Sequence, residues 1–367
     1  MENRDTRPAG PAERMKGYLE KVASGPRMSK DLSAQEAEDA LLILLNGEAS
    51  PPRAAAFLIA SRMKLETVEE NLGFWRALVA TTVRHEMPFD RLLQIADPFD
   101  GVNRVPYFGF YAIPLLAAMG LPTYGHSARA HAPKFGITFE EILAGSYAAT
   151  PASGERRLTR LQEHGFGYLN VCHTHPKLES LRALREDIVK RPMLATVEKM
   201  LMPVAAQPGG NYLATGYFHK GYEVAMMAIA EAGDFDRVAV GNGMEGTTLY
   251  GVHKAAKVFF RQKGAEPREI PLDKEKMFYA KTASQVAGAY QELKTVPARA
   301  SIIAELGEAA LKGKTGPAST LIASQAGTLH HLFGLSPSPQ AGFERASAVL
   351  ASGGCHGNLM RYLEGLR

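Results

Sequence analysis

The chain has little cysteine, no long apolar run and no strong excess of charge of either sign. With only Cys172 and Cys355 in 367 residues, there is no disulfide framework to staple it, and the usage suits a reducing compartment, the cytoplasm. No stretch approaches the ~20 apolar residues that span a bilayer. The opening MENRDTRPAGPAERM lacks the apolar core of a secretory signal, so no membrane partner is expected. Residues 1–13, polar and rich in Arg and Pro, read as a flexible tail. No internal repeat and no low-complexity tract of consequence occurs. The net charge of +4 permits a phosphorylated sugar or another anionic small molecule, and also nucleic acid, but it is not the dense basic stripe of a dedicated nucleic-acid binder. What is present is a 46% hydrophobic composition, enough for a sizeable core in one large domain or two unequal ones.

The span Leu32 to Ala80 reads as three helices with written starts and stops. Ser33 with Glu36, and Thr67 with Glu70, form capping boxes. Asn46-Gly47 tolerates the left-handed backbone of a C-cap, and Pro51-Pro52 suits a first helical turn, where a missing N–H costs nothing. Further along, strand and helix signals alternate. A helix is expected over Tyr111–Met119, strands at Leu121–Tyr124, Gly165–Cys172, Asn211–Tyr217 and Arg237–Val240, and a capping box at Thr138–Glu141. Helix is also expected over 190–204 and around Val286–Leu293, Ala300–Leu311 and Gln340–Ala351, and Gly264–Lys274 reads as a surface connection. Such alternation implies a mainly parallel sheet covered by helices.

The words NGE-SP, AFLIA-RMK and ETVEE within the helical span resemble the helical domain of anthranilate phosphoribosyltransferases, a family that also includes the nucleoside phosphorylases. The resemblance implies an α/β protein with a small all-helical N-terminal domain and a larger α/β domain, whose mainly parallel central sheet is flanked by helices. Carried over, the small domain is 14–95 with 178–205, and the α/β domain is 96–177 with 206–367. It also implies phosphoribosyl pyrophosphate (PRPP) and Mg2+ between the two, and a homodimer through the helical domain; Ala54, Ala55, Phe57, Leu58 and Trp75 are consistent with an apolar dimer surface or with packing of the three helices together, which periodicity does not separate.

The loops that would carry chemistry are altered. Where the family has GTGGDG, this chain has Asp97-Pro98-Phe99-Asp100-Gly101. Proline removes a donor, the ring fills space, and two carboxylates repel phosphate unless a metal intervenes. Asp100, Gly101 and Asn103 match the family pattern, and Tyr107-Phe108-Gly109-Phe110 replaces its asparagine-serine-threonine segment. His126, Arg129 and Lys134 match the second signature, with Arg129 and Lys134 as anion contacts. His175-Pro176, Arg185 and Arg191 match the third, in which Arg185 would orient an acceptor. Glu245 keeps one of the two acids of the fourth. Carried over, Asp100 and Glu245 hold the metal, and Gly101, Asn103, His126, Arg129, Lys134 and Arg185 hold substrate or phosphate. His173 and His175 could suggest zinc, but no acid cluster supports them, and Gly353-Gly354-Cys355 reads as a helix-flanking turn.

Two functions are implied. In the first, a divergent phosphoribosyltransferase moves a phosphoribosyl group from PRPP to an aromatic or other nitrogen acceptor, without handling anthranilate efficiently. In the alternative, the same scaffold is a non-catalytic nucleic-acid-binding homodimer, with Arg104, Arg129, Lys134, Arg156, Arg157 and Arg160 facing phosphates.

Overall fold

The computed structural model describes residues 10–25, 27–148 and 152–366. Four helices come first: α1 (Pro11–Val22), α2 (Ala34–Leu45), α3 (Pro51–Lys64) and α4 (Val68–Thr81). Both expected capping boxes form. Ser33 Oγ accepts from the Glu36 N–H at 3.2 Å while Glu36 accepts from the Ser33 N–H at 3.1 Å. Thr67 and Glu70 repeat the exchange at 3.1 and 2.8 Å. Glu70 is buried and also accepts from the Leu32 N–H at 2.9 Å and the Lys64 ammonium at 2.8 Å. One carboxylate thus ties the start of α4 to the approach to α2 and the end of α3.

Two readings of this region are corrected. Helix α1 begins at Pro11, because proline fits a first turn, so the expected tail is too long by residues 11–13; residues 1–9 of it lie outside the described residues. Ala54, Phe57 and Leu58, expected on a dimer surface, are buried inside the bundle, with Phe57 edge-on to Phe74. Trp75 is half-buried and donates its indole N–H to the Met200 carbonyl at 3.2 Å.

A two-residue pair, β1 (His85–Glu86) with β5 (Val204–Ala205), joins the bundle to a seven-stranded sheet. The sheet comprises β2 (Leu92–Ala96), β3 (Thr123–Ser127), β4 (Phe166–Asn170), β6 (Asn211–Gly216), β7 (Arg237–Gly241), β8 (Ala256–Gln262) and β9 (Arg268–Leu272), in the order β4-β3-β2-β6-β7-β8-β9. The first five strands are parallel, and β8 and β9 are antiparallel. Strands β2, β3, β4 and β6 are buried along their whole length, as parallel strands covered on both faces must be. Helix α5 (Gly109–Ala118) and the C-terminal helices cover one face. The other is covered by the bundle and the helix Tyr222–Ala232.

Three expectations differ from what forms here. The segment expected as a surface connection contains β9, whose charges and Pro271 suit an edge. The helix Pro317–Leu332 is buried on nearly every side, so it carries no amphipathic period to read. Residues 190–204 are not one helix but a short turn, Leu194–Val197, and a 3-10 turn, Glu198–Met200. Val189 in a left-handed conformation and the flanking Pro192 and Pro203 break the path.

Candidate functional site

Strand order reverses between β2 and β6, so the loops leaving their carboxyl ends part and open a crevice, the usual ligand position in such sheets. The cleft there measures 720 Å³ including its open mouth. Pro98, Phe99 and Asp100 after β2, Tyr217 to His219 after β6, and Glu245 after β7 line it. The irregular segment with Arg191, Glu198 and Lys199 closes one side, and Arg62 and Tyr222 add a cation and a ring.

The turn after β2 does not present amides as a glycine loop does. The Gly101 N–H bonds to the Pro98 carbonyl at 3.0 Å, and Phe99 turns inward, its ring edge-on to His126 with centroids 5.3 Å apart. Gly101 has φ +77°, and a Cβ there would sit 2.5 Å from the Gly136 main chain. Its glycine is demanded by the packing of two loops, and Gly101, expected to bind substrate, does not line the cleft. Asp97 is locked between loops: it accepts from the Tyr107 hydroxyl at 2.6 Å and the Thr248 N–H at 2.8 Å. Gln325 donates to both Tyr107 Oη, at 2.7 Å, and Thr248 Oγ1, at 2.9 Å. Tyr107 and Phe108 are therefore core residues and do not plug the cleft, whereas Phe99 forms its wall.

His126 and Arg185 also depart from expectation. His126 is fully buried behind Phe99, pairs through Nε2 with Thr174 Oγ1 at 2.9 Å, and is pushed down to about 3 by burial and by His175. A neutral, enclosed imidazole is no phosphate contact. The buried Arg185 guanidinium spends both arms on Glu198, at 2.6 and 3.0 Å. Asn103 and Arg129 are exposed and do not line the cleft, although the Asn103 N–H reaches Glu245 at 3.4 Å.

The two acids expected to hold metal both reach the cleft. Asp100 takes the Nε (2.8 Å) and Nη2 donors of Arg191. Glu245, with φ +49°, accepts from the Arg104 N–H at 2.9 Å and from Lys134 Nζ at 3.2 Å. Each acid is thus balanced by a protein cation. That suits a divalent cation delivered with a diphosphate, which needs few protein carboxylates, better than an all-protein metal cage. Among the described residues no group of three or more His, Cys, Asp or Glu could hold a metal. His175 has both ring nitrogens occupied, Nδ1 accepting from the Leu178 N–H at 2.9 Å and Nε2 near the Leu78 carbonyl at 3.0 Å. Gly353, at φ +71°, is the N-cap of the helix Gly354–Glu364, and the two cysteines are free.

Sequence reasoning assigned no role to Lys199, Glu198 or Arg62. Lys199 is buried in the cleft wall, donates to the Gly216 carbonyl, and is drawn down to about 8 by burial. The only available signal was position: Glu198 and Lys199 lie in the segment that returns to the sheet, and Arg62 lies in the last turn of α3.

The fold is an α/β one, a mainly parallel sheet with a helical bundle beside its switch-point cleft. Residues 16–82 match the model of the glycosyl transferase family, helical bundle domain. An anthranilate phosphoribosyltransferase of Rhizobium rhizogenes is 28% identical over 66% of this chain and 69% of its own length. That of Thermus thermophilus is 27% identical over 92% of this chain and 96% of its own. The crystal structure of a Thermus thermophilus anthranilate phosphoribosyltransferase superposes with a TM-score of 0.73 at 24% identity, covering 96% of this chain and 99% of that one. The Saccharomyces cerevisiae enzyme in complex with PRPP and Mg gives 0.73 at 15% identity, covering 96% and 97%. The chain thus carries a helical bundle of the glycosyl transferase family over residues 16–82, and over most of its length it is similar to anthranilate phosphoribosyltransferases in sequence and fold.

Proposed function

We propose that this protein binds PRPP in the switch-point cleft and transfers its phosphoribosyl group to a nitrogen acceptor other than anthranilate. The observation that carries the reading is the convergence of Asp100–Arg191, Glu245–Lys134 and Lys199 at the strand-order reversal, on a fold similar to that of a yeast enzyme in complex with PRPP and Mg. Asp100 and Glu245 would hold the Mg2+, which supplies charge neutralisation for a departing diphosphate. Arg191 and Lys134, relieved of their acids, would turn to phosphate oxygens as fixed positive charges. Phe99 and Tyr217 exclude water, and Tyr222 under Arg62, with 6.0 Å between guanidinium and ring centroid, offers a planar acceptor a stacking surface. Because Gly101 and Pro98 donate nothing into the cleft, the diphosphate would be held by side chains, an arrangement unlike a glycine cradle and the basis for excluding efficient anthranilate turnover. The two free thiols suit a cytoplasmic setting. The reading retains the division of 14–95 with 178–205 from the remainder as the two walls of the cleft, and a homodimer through outer faces of the bundle.

The nucleic-acid reading has weaker support. Arg157 is buried and spends both arms on Glu140 at 2.7 and 3.0 Å, so it cannot face a backbone. Arg156 donates to the Gly365 carbonyl, and Arg160 to Glu163 and the Arg361 carbonyl. PRPP with Mg2+ should raise the melting temperature in proportion to the logarithm of its concentration above Kd, by an amount equivalent to about 2.7 kcal/mol at a hundredfold excess over Kd, and Arg191→Ala should abolish the rise. No shift at millimolar PRPP, together with salt-sensitive retention on DNA, would replace this reading with the other.

A further inference from the structure

Lys199 stands at the reversal of strand order, buried, with Nζ donating to the carbonyl that ends β6 at Gly216. The carboxylates around it are committed elsewhere: Glu198 to Arg185, Asp100 to Arg191, Glu245 to Lys134, and Asp97 to Tyr107 and the Thr248 N–H. Among the described residues Lys199 forms no ion pair, so a buried ammonium there has one acceptor for three protons. That arrangement favours the neutral amine, the form that attacks carbonyl carbon. Burial and Arg191 pull Lys199 down to about 8, against the opposite pull of Glu198, Asp97 and Asp100. One N–H on Gly216 still leaves the lone pair of the neutral amine unengaged. Nearby, Arg191 uses Nε and Nη2 on Asp100, which leaves Nη1 for an anionic group.

We propose that Lys199 is a nucleophile that condenses with a phosphorylated aldehyde, of the class of an open-chain aldopentose phosphate, to form an imine in the cleft. The amine nitrogen bonds to the carbonyl carbon, and its proton passes to the carbonyl oxygen to give a carbinolamine. Loss of that oxygen as water leaves the C=N bond, so amine plus aldehyde yields imine plus water with no change of oxidation state. The inference rests on the cleft being a phosphosugar site, but not on transfer from PRPP, whose C1 carries its leaving group and offers no carbonyl.

The test is reductive trapping of the full-length protein with ribose 5-phosphate and sodium cyanoborohydride, followed by peptide mass mapping. Lys199 should be modified saturably and at least about tenfold faster than exposed lysines such as Lys177, with a rate that rises with pH and levels above about 8. Lys199→Arg should abolish that adduct and leave the slow surface labelling unchanged. Where that variant melts abnormally, the comparison of Lys199 with Lys177 inside the wild-type protein decides. Labelling spread over surface lysines with Lys199 no faster, or labelling of Lys199 without saturation, overturns the proposal. A PRPP-induced thermal shift without a Lys199 adduct refutes the imine alone, and absence of both refutes the phosphosugar cleft itself.

Discussion

At the residue scale, burial lifts the Asp97 carboxyl to about 6, although its bonds from Tyr107 and Thr248 favour the charged form. A carboxyl raised in the folded state binds its proton there while the unfolded chain, near 3.8, has already lost it. Its contribution to stability is therefore greatest at low pH and declines as pH rises from about 4 to about 6. Asp97→Asn keeps one acceptor but sets an amide against a donor, so it should cost about 1–3 kcal/mol at neutral pH. The melting-temperature gap between wild type and variant, followed by calorimetry, should narrow as pH rises across that window and then level; a gap constant from pH 4 to 7 would contradict it. The same scale shows why His126 and Arg185 misled. Each stands at a family position, but Thr174 and Glu198, distant in sequence, determine that one ring is neutral and enclosed and the other side chain already paired.

At the scale of elements, the bundle was legible because its signals are local. Ser33, Glu36, Thr67 and Glu70 exchange hydrogen bonds across three residues, so spacing alone specifies them. Gly73 has a reason that no local signal reveals: α2 crosses α4 so closely that a Cβ would lie 2.2 Å from the Ala34 carbonyl oxygen and 2.8 Å from Ala37 Cβ. Gly73→Ala should therefore lower stability by about 1–3 kcal/mol despite alanine's better helix propensity. Urea unfolding should show a lower midpoint at unchanged slope, and an unchanged or higher midpoint would mean the crossing relaxes freely. The segment 190–204 failed the opposite way. Its composition is helical, yet it is bent into short turns that set Arg191, Glu198 and Lys199 along the cleft.

Over the whole molecule, the bundle, the sheet and the C-terminal helices bury apolar surface on both faces of one sheet, and no helix among the described residues is long and apolar enough to cross a membrane. Phe57 belongs to this interior. Phe57→Ala should cost about 3–5 kcal/mol while sedimentation gives the same assembled mass as wild type; dissociation without loss of stability would restore the surface role expected for it. The amino-acid sequence by itself determined the helix starts and stops, the alternation that makes a parallel sheet, and the replacement of a glycine cradle by Asp97-Pro98-Phe99-Asp100-Gly101. These are properties of neighbours along the chain, expressed through backbone sterics and short-range hydrogen bonds. The tertiary structure alone decided which charges meet: Asp100 with Arg191, Glu245 with Lys134, Arg185 with Glu198, and Lys199 with none among the described residues. Coulomb attraction and desolvation depend on distance and burial in space, and those exist only once β2, β6 and the returning segment have been brought to the same crevice.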